Sequence, residues 1–514
     1  MHLDFWNNPI VVSAFRVRYR RGGFTNTLAP YLVVLAAIGA GLEYYQDKMQ
    51  VPWARIYYPI LMGLQFLGLG VMASTATAAS LRSEVVNRTL DFQRIAALSP
   101  RQILLGKLLG EPAVAYLMAM ASFPLAVWCF LAGGVELEVM LLMYVNLATT
   151  LLLCGAAGLI GRIELPVGQA TGVMISIWAL GTPIPLFVGI ARRNPWLIEI
   201  PLFGIDIPYL LLLPPVQLLL AYVCFRIMER QLITPLNPMI SKPLAYVILA
   251  AVDLVSAALL FNLTHVGGGD TDLVTLVGRR GVVFCLVHLF ASLALAFGMT
   301  AWRETLYSWV WRFRRRRPLL ADLWLGDRSE NVLSLATFAI MGLVNLAVFV
   351  VLPAVWQGRN GPWPGPSSIF DPQSSDVWLA LPTLIAAATT TAVLILAFGT
   401  IHQWLLLIAG RVGSTITFVL AAMVTFIPLA GGFRPQTEWT MSFSPALHYA
   451  HWLGLNSPRD PQPAFSYLVL VVLFLVVFIL FWYLLRSRMR KLEAWVDFKL
   501  RMMDALPPVA PIHT

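Results

Sequence analysis

A succession of apolar stretches, each about twenty residues long and almost without charged residues, runs through most of the chain. An α-helix of about 20 residues crosses the hydrocarbon core of a bilayer. The stretches do not show the alternation of a transmembrane barrel, and lipid otherwise admits only helices. Charged residues make up 12% of the 514 residues, about half the share in a soluble domain. The sequence therefore predicts an all-α, polytopic helical membrane protein.

The apolar stretches allow about twelve transmembrane helices. The run 377–410 is longer than one span needs, so we expect a turn at Gly399–Thr400 that leaves His402 and Gln403 at the interface. The four cysteines lie inside apolar segments without metal-ligand spacing, and we interpret them as packing residues. The twelve predicted spans are 26–45, 58–80, 112–132, 139–160, 168–190, 207–225, 243–263, 282–301, 333–354, 377–398, 412–432 and 465–485.

The distribution of Lys and Arg predicts the topology. With the N-terminus inside, the inner segments hold about three times as many of these residues as the outer loops. Both termini are therefore expected on the cytoplasmic side. The net charge of +10 is accounted for by this bias and by contact with anionic membrane lipids, without a nucleic-acid partner.

Loop order suggests that the chain is two six-helix halves. Asn8–Pro9 precedes the first span and Asn237–Pro238 precedes the seventh. A large basic inner loop follows the second span of each half, at 81–111 and at 301–332. This order predicts a first membrane domain at 1–230 and a diverged second half at 231–514. Basic and apolar residues alternate over 486–506, which predicts a C-terminal interfacial helix.

The polar inner segment 82–110 carries the most specific pattern in the chain. Opposite charges three or four residues apart predict a helix over Glu84–Leu98. Ser99-Pro100 then provides an N-cap and a proline at the first helical position. A second helix, Arg101–Leu109, leads into the third span. Two interpretations remain open, an interfacial anchor and a corner that transmits force from a partner into the membrane.

This segment resembles the signature of the six-helix permease subunits of ABC-type exporters. The resemblance rests on Glu84, Thr89-Leu90, Leu98-Ser99-Pro100 and the run Ile103–Leu109, with Arg88 where the family has glycine. It implies that 82–110 is a coupling helix seated in a groove of a separate ATPase subunit. The coupling residues it implies are Glu84, Arg88, Thr89, Leu90, Arg94, Leu98, Ser99, Pro100 and Arg101.

The second half resembles the family only at Arg303-Glu304-Thr305-Leu306. These residues stand where a second coupling loop would lie. No Ser-Pro or Gly-Lys follows them at the family's spacing, so a working duplicate and a relic are both open.

The chain has no phosphate-binding motif of its own. Gly106-Lys107 is followed by Leu108 and lacks the glycine five residues earlier that a phosphate loop requires. We therefore expect a transport subunit that is not an enzyme and holds no cofactor. The resemblance implies that ATP and Mg²⁺ bind a separate ABC ATPase. It also implies a multi-pass protein of the bacterial cytoplasmic (inner) membrane, alone or beside a second permease copy.

Four polar residues within predicted spans are candidates for a translocation pathway. Asp253 and His288 are ionisable groups at a depth where charge is costly and often functional. Asn146 and Gln169 carry amides that could line a pathway or bond between helices. A buried polar pair or interhelical contact is the alternative for each.

Two other functional classes remain in view. A secondary, ion-coupled transporter with two six-helix halves would place its large inner loop between the sixth and seventh spans, unlike this chain. A membrane transferase would be expected to carry paired acids in its first outer loop, where residues 46–57 have Asp47 and Lys48, and a structural membrane subunit of a larger complex is the remaining alternative. ABC-type export is the function that the motif favours.

Overall fold

The computed structural model describes most of the predicted spans. The residues described are 8–20, 23–46, 52–87, 89, 98–160, 166–191, 199–202, 205–233, 238–261, 273–300, 306, 310–311, 320–326, 329–352, 381–410, 412–413, 416–417, 419–420 and 464–504. Within them the chain is helical apart from two short strands, and 10 helices are long and apolar enough to cross a membrane. The protein is a multi-pass helical membrane protein.

The chain divides into two compact units. Unit 1 comprises Met1–Ile200 and Asp206–Pro235, and unit 2 comprises Pro201–Ile205 and Leu236–Thr514. The four cysteines are buried and form no disulfide, in keeping with a packing role.

Unit 1 begins with two helices and a long interrupted span. Helix α1 is Pro9–Arg20 and α2 is Gly23–Tyr44. The next span consists of α3 (Trp53–Leu64), a π-helical turn (Gln65–Leu69) and α4 (Gly70–Val86). The π turn inserts wider hydrogen bonding into an otherwise α-helical span.

The predicted third and fifth spans of unit 1 are each divided into two shorter helices. In the third span, the Ser122 hydroxyl donates to the carbonyls of Met118 and Ala119, and Pro124 follows shortly after, which together account for the break. The remaining helices of unit 1 are α5 (Pro100–Gly110), α6 (Ala113–Ala121), α7 (Phe123–Leu131), α8 (Leu137–Ile160), α9 (Pro166–Gly181), α10 (Ile184–Ala191) and α11 (Tyr209–Ile233). Strands β1 (Glu199–Leu202) and β2 (Ile205–Pro208) pair before α11.

Helix α8 is the core of unit 1, because most of its residues are buried and it packs on α4, α9 and α11. Small residues make this close approach possible. A side chain at Gly158 would overlap the hydroxyl of Thr77 and the carbonyl of Ser74 on α4.

Two long helices, Leu273–Met299 and Leu381–Ala409, form the centre of unit 2. Its helices are α12 (Lys242–Phe261), α13 (Leu273–Met299), α14 (Leu320–Leu325), α15 (Val332–Leu346, followed by a π turn, Ala347–Val351), α16 (Leu381–Ala409) and α17 (Ala464–Asp504). Their buried aromatic and aliphatic side chains form one continuous core. The predicted interfacial segment 486–506 continues α17 without a break as far as Asp504.

The expected turn at Gly399–Thr400 is wrong. Helix α16 passes through both residues, and His402 and Gln403 are buried rather than interfacial. Gly399 does not end the helix because it is a packing site, where an added Cβ would lie 2.5 Å from Leu335 Cδ2. At 29 residues the helix is about 44 Å long, and its length beyond the bilayer core requires no turn.

Two of the twelve predicted spans are not among the ten spanning helices. The stretch 168–190 is divided into α9 and α10 by a break at Thr182–Pro183, and its apolar part, Gly172–Phe187, is a shorter helix. Most of the stretch 412–432 lies outside the described residues. The remaining ten predicted spans each coincide with a spanning helix.

Candidate functional site

Helix α5 begins at the predicted N-cap. The Ser99 hydroxyl accepts a bond from Gln102 N at 3.3 Å, and Gln102 Oε1 accepts one from Ser99 N at 2.9 Å. This reciprocal capping box, with Pro100 as the first helical residue, satisfies backbone donors that the helix itself leaves unpaired. The predicted second helix, Arg101–Leu109, is confirmed within one residue at each end.

An ion pair between Arg101 and Glu229 holds α5 to the end of α11, where Arg226 of α11 contacts the same carboxylate. Glu229, nearly buried, lies 2.5 Å from Arg101 Nε through one carboxylate oxygen and 2.5 Å from Arg226 Nη1 through the other. The carboxylate of Glu229 raises the pKa of Arg101 by accepting its hydrogen bond. The start of α5 is thus fixed to α11 by a charge-assisted hydrogen bond.

A buried lysine holds the other end of α5 to α4. Lys107 is 1% exposed, and its Nζ lies 2.6 Å from Glu84 Oε2 and 3.2 Å from Ser80 Oγ. The Ser80 hydroxyl in turn donates to Glu111 Oε1 at 2.8 Å. A lysine this deeply buried requires an acidic partner. Here the partner is Glu84, which precedes residues 88–97 in the sequence, whereas Lys107 follows them.

Helix α1 packs on a third face of α5. Asn8 Nδ2 donates to Gln102 O at 2.7 Å, and Asn8 Oδ1 accepts from Ile10 N at 3.0 Å. A Cβ at Gly106 would lie 2.6 Å from Ile10 Cβ, and one at Gly110 would lie 2.9 Å from Ala14 Cβ. These two glycines, four residues apart on one helix face, are what lets α1 lie so close.

These contacts hold α5 in place from three sides. It is connected to α1, α4 and α11 by buried or charge-assisted contacts, and its capped N-terminus adjoins the segment that enters from α4. The sequence predicted the Ser99-Pro100 helix start. It did not predict the ion pair between Arg101 and Glu229, which are 128 residues apart in the chain.

The other predicted coupling residues are only partly described. Glu84 ends the long span and pairs with Lys107, and Thr89 Oγ1 donates to Glu84 O at 3.4 Å. Arg88, Leu90 and Arg94 lie outside the described residues. Leu98, Ser99 and Pro100 are half-buried, and Arg101 is exposed.

In the second half, Arg303, Glu304 and Thr305 lie outside the described residues, and Leu306 is fully buried against Met489 and Val496. The end of the same loop is held by a buried lysine. Lys242 Nζ donates to Leu323 O at 3.0 Å, to Ser329 Oγ at 2.6 Å and to Glu330 O at 2.9 Å. Nothing in the sequence around Lys242 indicated this role, because all three acceptors come from about 80 residues further along the chain.

The structure brings Asp253 and His288 together. Both are buried, and His288 Nδ1 lies 2.9 Å from each Asp253 carboxylate oxygen. Asn345 Nδ2 donates to Asp253 Oδ2 at 2.7 Å, and His288 Nε2 lies 3.0 Å from Phe338 O. A carbonyl oxygen only accepts, so Nε2 carries a hydrogen. The network joins α12, α13 and α15.

Asn146 takes part in interhelical bonding. Its Nδ2 donates to Leu142 O at 2.9 Å within α8 and to Leu210 O at 3.0 Å on α11. The side chain of Gln169, on α9, lies outside the described residues.

Gln217 on α11, which the sequence reasoning did not single out, connects three elements of unit 1. Its Oε1 accepts from Thr149 and Thr150, and its Nε2 donates to Thr150 and to Thr182. A polar residue in the middle of an apolar run was the available signal for this position.

Comparison of the chain with protein-family models, with curated proteins and with solved structures gave no match. The structure and the sequence motif are therefore the basis for assigning a function. They define a multi-pass helical membrane protein in which helix α5, capped at Ser99, is held to α1, α4 and α11.

Proposed function

We propose that the chain is the membrane-spanning permease component of an ATP-driven ABC transporter, with export as its direction. In this proposal a separate ATPase subunit binds ATP and Mg²⁺, and segment 82–110 couples hydrolysis to substrate translocation. The observation that carries the proposal is the capped helix α5, braced to α1, α4 and α11. The resemblance of 84–109 to the exporter permeases supplies the identity of the partner.

The contacts of α5 with α4 and α11 supply a route for coupling ATP hydrolysis to the membrane helices. The ATPase groove would hold 84–99 on the cytoplasmic face and move it as the two nucleotide sites close. Because Lys107 joins α5 to Glu84 and Ser80, this movement would displace α4 as well as α5. The Arg101–Glu229 contact would pass the same movement to α11. The cleft between these helices would then change its access from one side to the other.

The ion-coupled transporter is the second candidate, and the Asp253–His288 pair is the observation that favours it. Buried ionisable groups are costly in a membrane and often carry ions or protons. In this chain, however, Asp253 is also bonded to Asn345, and His288 is also bonded to Phe338 O. These bonds favour a role in holding helices together. The braced corner has no role in that mechanism.

The test is purification of the full-length protein from its native membrane in mild detergent, with measurement of ATP hydrolysis and identification of bound chains. We expect a stoichiometric ATPase subunit. Charge reversal at Arg94, Arg94→Glu, should lower coupled ATP hydrolysis while membrane insertion stays normal. Arg55→Glu is the matched control, since Arg55 is exposed at the start of the span Trp53–Glu84, at the end away from Glu84. Absence of any ATPase from the purified protein, or normal coupling in Arg94→Glu, would contradict the proposal.

A further inference from the structure

The polar side chains buried among the membrane helices of unit 1 are uncharged within the described residues. The buried ions of this unit, Lys107 and Glu229, are near helix ends and form the α5 braces already described. The uncharged set is Gln65, Thr77, Ser122, Asn146, Thr149, Thr150, Thr182 and Gln217. Unit 2 differs, because its membrane helices bury Asp253, Arg280 and His288.

Most of these uncharged groups bond within the protein. Gln217 uses both ends of its amide, and Thr77 Oγ1 donates across to Gly155 O at 3.0 Å. Two fully buried groups on the span Trp53–Glu84 differ. Gln65 Oε1 and the Tyr58 hydroxyl have no hydrogen-bond partner in the part of the chain that the structure describes.

The first of these groups contacts Tyr144 of α8, because Gln65 Nε2 lies 3.3 Å from the Tyr144 hydroxyl. Tyr58 lies seven residues before Gln65 in the same helical span, about two helical turns, and therefore on the same face of that span. A buried polar atom without a partner costs about 1–3 kcal/mol, and two such atoms on one face of a helical span favour a site for a polar ligand.

The backbone at Gln65 is also unusual. Gln65 is the first residue of the π turn Gln65–Leu69, in the middle of the span Trp53–Glu84. Single π turns inside α-helices occur frequently at functional sites, because they break the regular hydrogen bonding and redirect side chains. This π turn presents the Gln65 amide to the Tyr144 hydroxyl on α8.

We propose that Gln65, Tyr58 and Tyr144 form a binding site for a neutral, hydroxyl-bearing substrate. Gln65 Oε1 only accepts hydrogen bonds, so the occupant must donate one. Carboxylate and phosphate oxygens cannot donate. A cation can donate, but it would enter a low-dielectric site where the described buried residues offer no counter-charge. A sugar or another polyol meets both requirements.

The site is closed in this structure, because Tyr58 and Gln65 are fully buried. Opening it requires α3 and the π turn to separate from α8. The same span continues into α4, whose end is held by α5 through Ser80 and Glu84. Movement of α5 would therefore be passed through α4 to the proposed binding site. This inference extends the proposed function by naming a substrate class, and it rests on that function only for the idea that the occupant is transported.

The test uses the full-length protein in phosphatidylcholine nanodiscs and three amphiphiles with the same chain. Octyl β-glucoside is neutral and carries hydroxyls, whereas octyl phosphate and octyltrimethylammonium are charged. We expect a saturable rise in the thermal unfolding midpoint with octyl glucoside alone. Gln65→Met and Tyr58→Phe should each weaken this binding by about fivefold, the effect of one hydrogen bond.

Tyr57→Phe is the matched control, because the Tyr57 hydroxyl already donates to Leu35 O at 2.7 Å. It should lower basal stability slightly while the affinity for octyl glucoside stays at the wild-type value. Equal responses to the three amphiphiles, or wild-type affinity in both Gln65→Met and Tyr58→Phe, would overturn the site. Gln65-dependent glucoside binding by a protein that co-purifies with no ATPase would leave the site standing and remove the proposed function.

Discussion

Substitutions at Asp253, which contacts His288, test how the helices of unit 2 are held together. Replacing Asp253 with alanine removes the acceptor for two buried groups, His288 Nδ1 and Asn345 Nδ2. Leaving a buried polar group unpaired costs about 1–3 kcal/mol. Within membranes the average interhelical hydrogen bond contributes only about 0.6 kcal/mol, because the unfolded helices also find partners. Between these limits, Asp253→Ala should destabilise unit 2 by about 2–4 kcal/mol.

Asp253→Asn separates the loss of charge from the loss of hydrogen bonds. The asparagine oxygen can accept from Asn345, and its amide can donate to a neutral His288 whose Nε2–H still bonds to Phe338 O. This variant should therefore lose no more than about 1 kcal/mol. Asparagine has nearly the shape of aspartate, whereas alanine removes the whole carboxyl group from a buried position.

The assay is reversible unfolding of the purified protein in mixed detergent micelles, followed by circular dichroism. A double-mutant cycle with His288→Ala isolates the pair, and the two alanine substitutions together should cost clearly less than their sum. If Asp253→Asn were as damaging as Asp253→Ala, the negative charge rather than the hydrogen-bond network would be what unit 2 requires. If the cycle were additive, the two residues would not be coupled, and the reasoning would be refuted.

Two further predictions concern packing and pH. Gly158→Ala should destabilise unit 1 by about 1–3 kcal/mol, because its Cβ would overlap Thr77 and Ser74. Gly63→Ala is the control, because Gly63 has open space around it, and this variant should be neutral or stabilising by up to about 1 kcal/mol. Equal thermal unfolding midpoints for the two variants would contradict the close packing of α4 on α8. Burial raises the pKa of Glu330 above its ordinary value, with Arg486 and Lys242 opposing the shift. The folded state therefore binds the Glu330 proton more tightly than the unfolded state, so this contribution to stability is present below the ordinary glutamate pKa and is lost as pH rises through the folded pKa. Unfolding midpoints measured against pH should show this decline in the wild type and not in Glu330→Gln, and parallel profiles would refute it.

Local patterns were sufficient for the helices and for the start of α5. Ten of the predicted spans were found because an uncharged run of about 20 residues has few alternatives in lipid. The capping box at Ser99 was readable because its residues are adjacent in sequence. The turn expected at Gly399 failed for the opposite reason. Whether a glycine breaks a helix or admits a neighbour depends on what packs against it, here Leu335.

The candidate sites depended on partners that lie far apart along the chain. Asp253 and His288 were visible as costly ions, but Asn345 and the carbonyl of Phe338, which complete their network, were not. The same holds for Glu229 opposite Arg101, and for Tyr144 beside Gln65. No periodicity links such residues, because each helix contributes one side chain at a depth set by packing.

The sequence by itself thus determined that this chain is a helical membrane protein with a capped polar corner between two of its spans. Those properties follow from the solubility of side chains in lipid and from hydrogen bonds between near neighbours. Only the tertiary structure decided that the corner is braced to three helices, that α16 is unbroken, and that Gln65 Oε1 lies buried beside Tyr144. The physical reason is that helix pairing in a membrane is chosen by close packing and by a few polar contacts, which depend on the whole arrangement of helices rather than on any one segment.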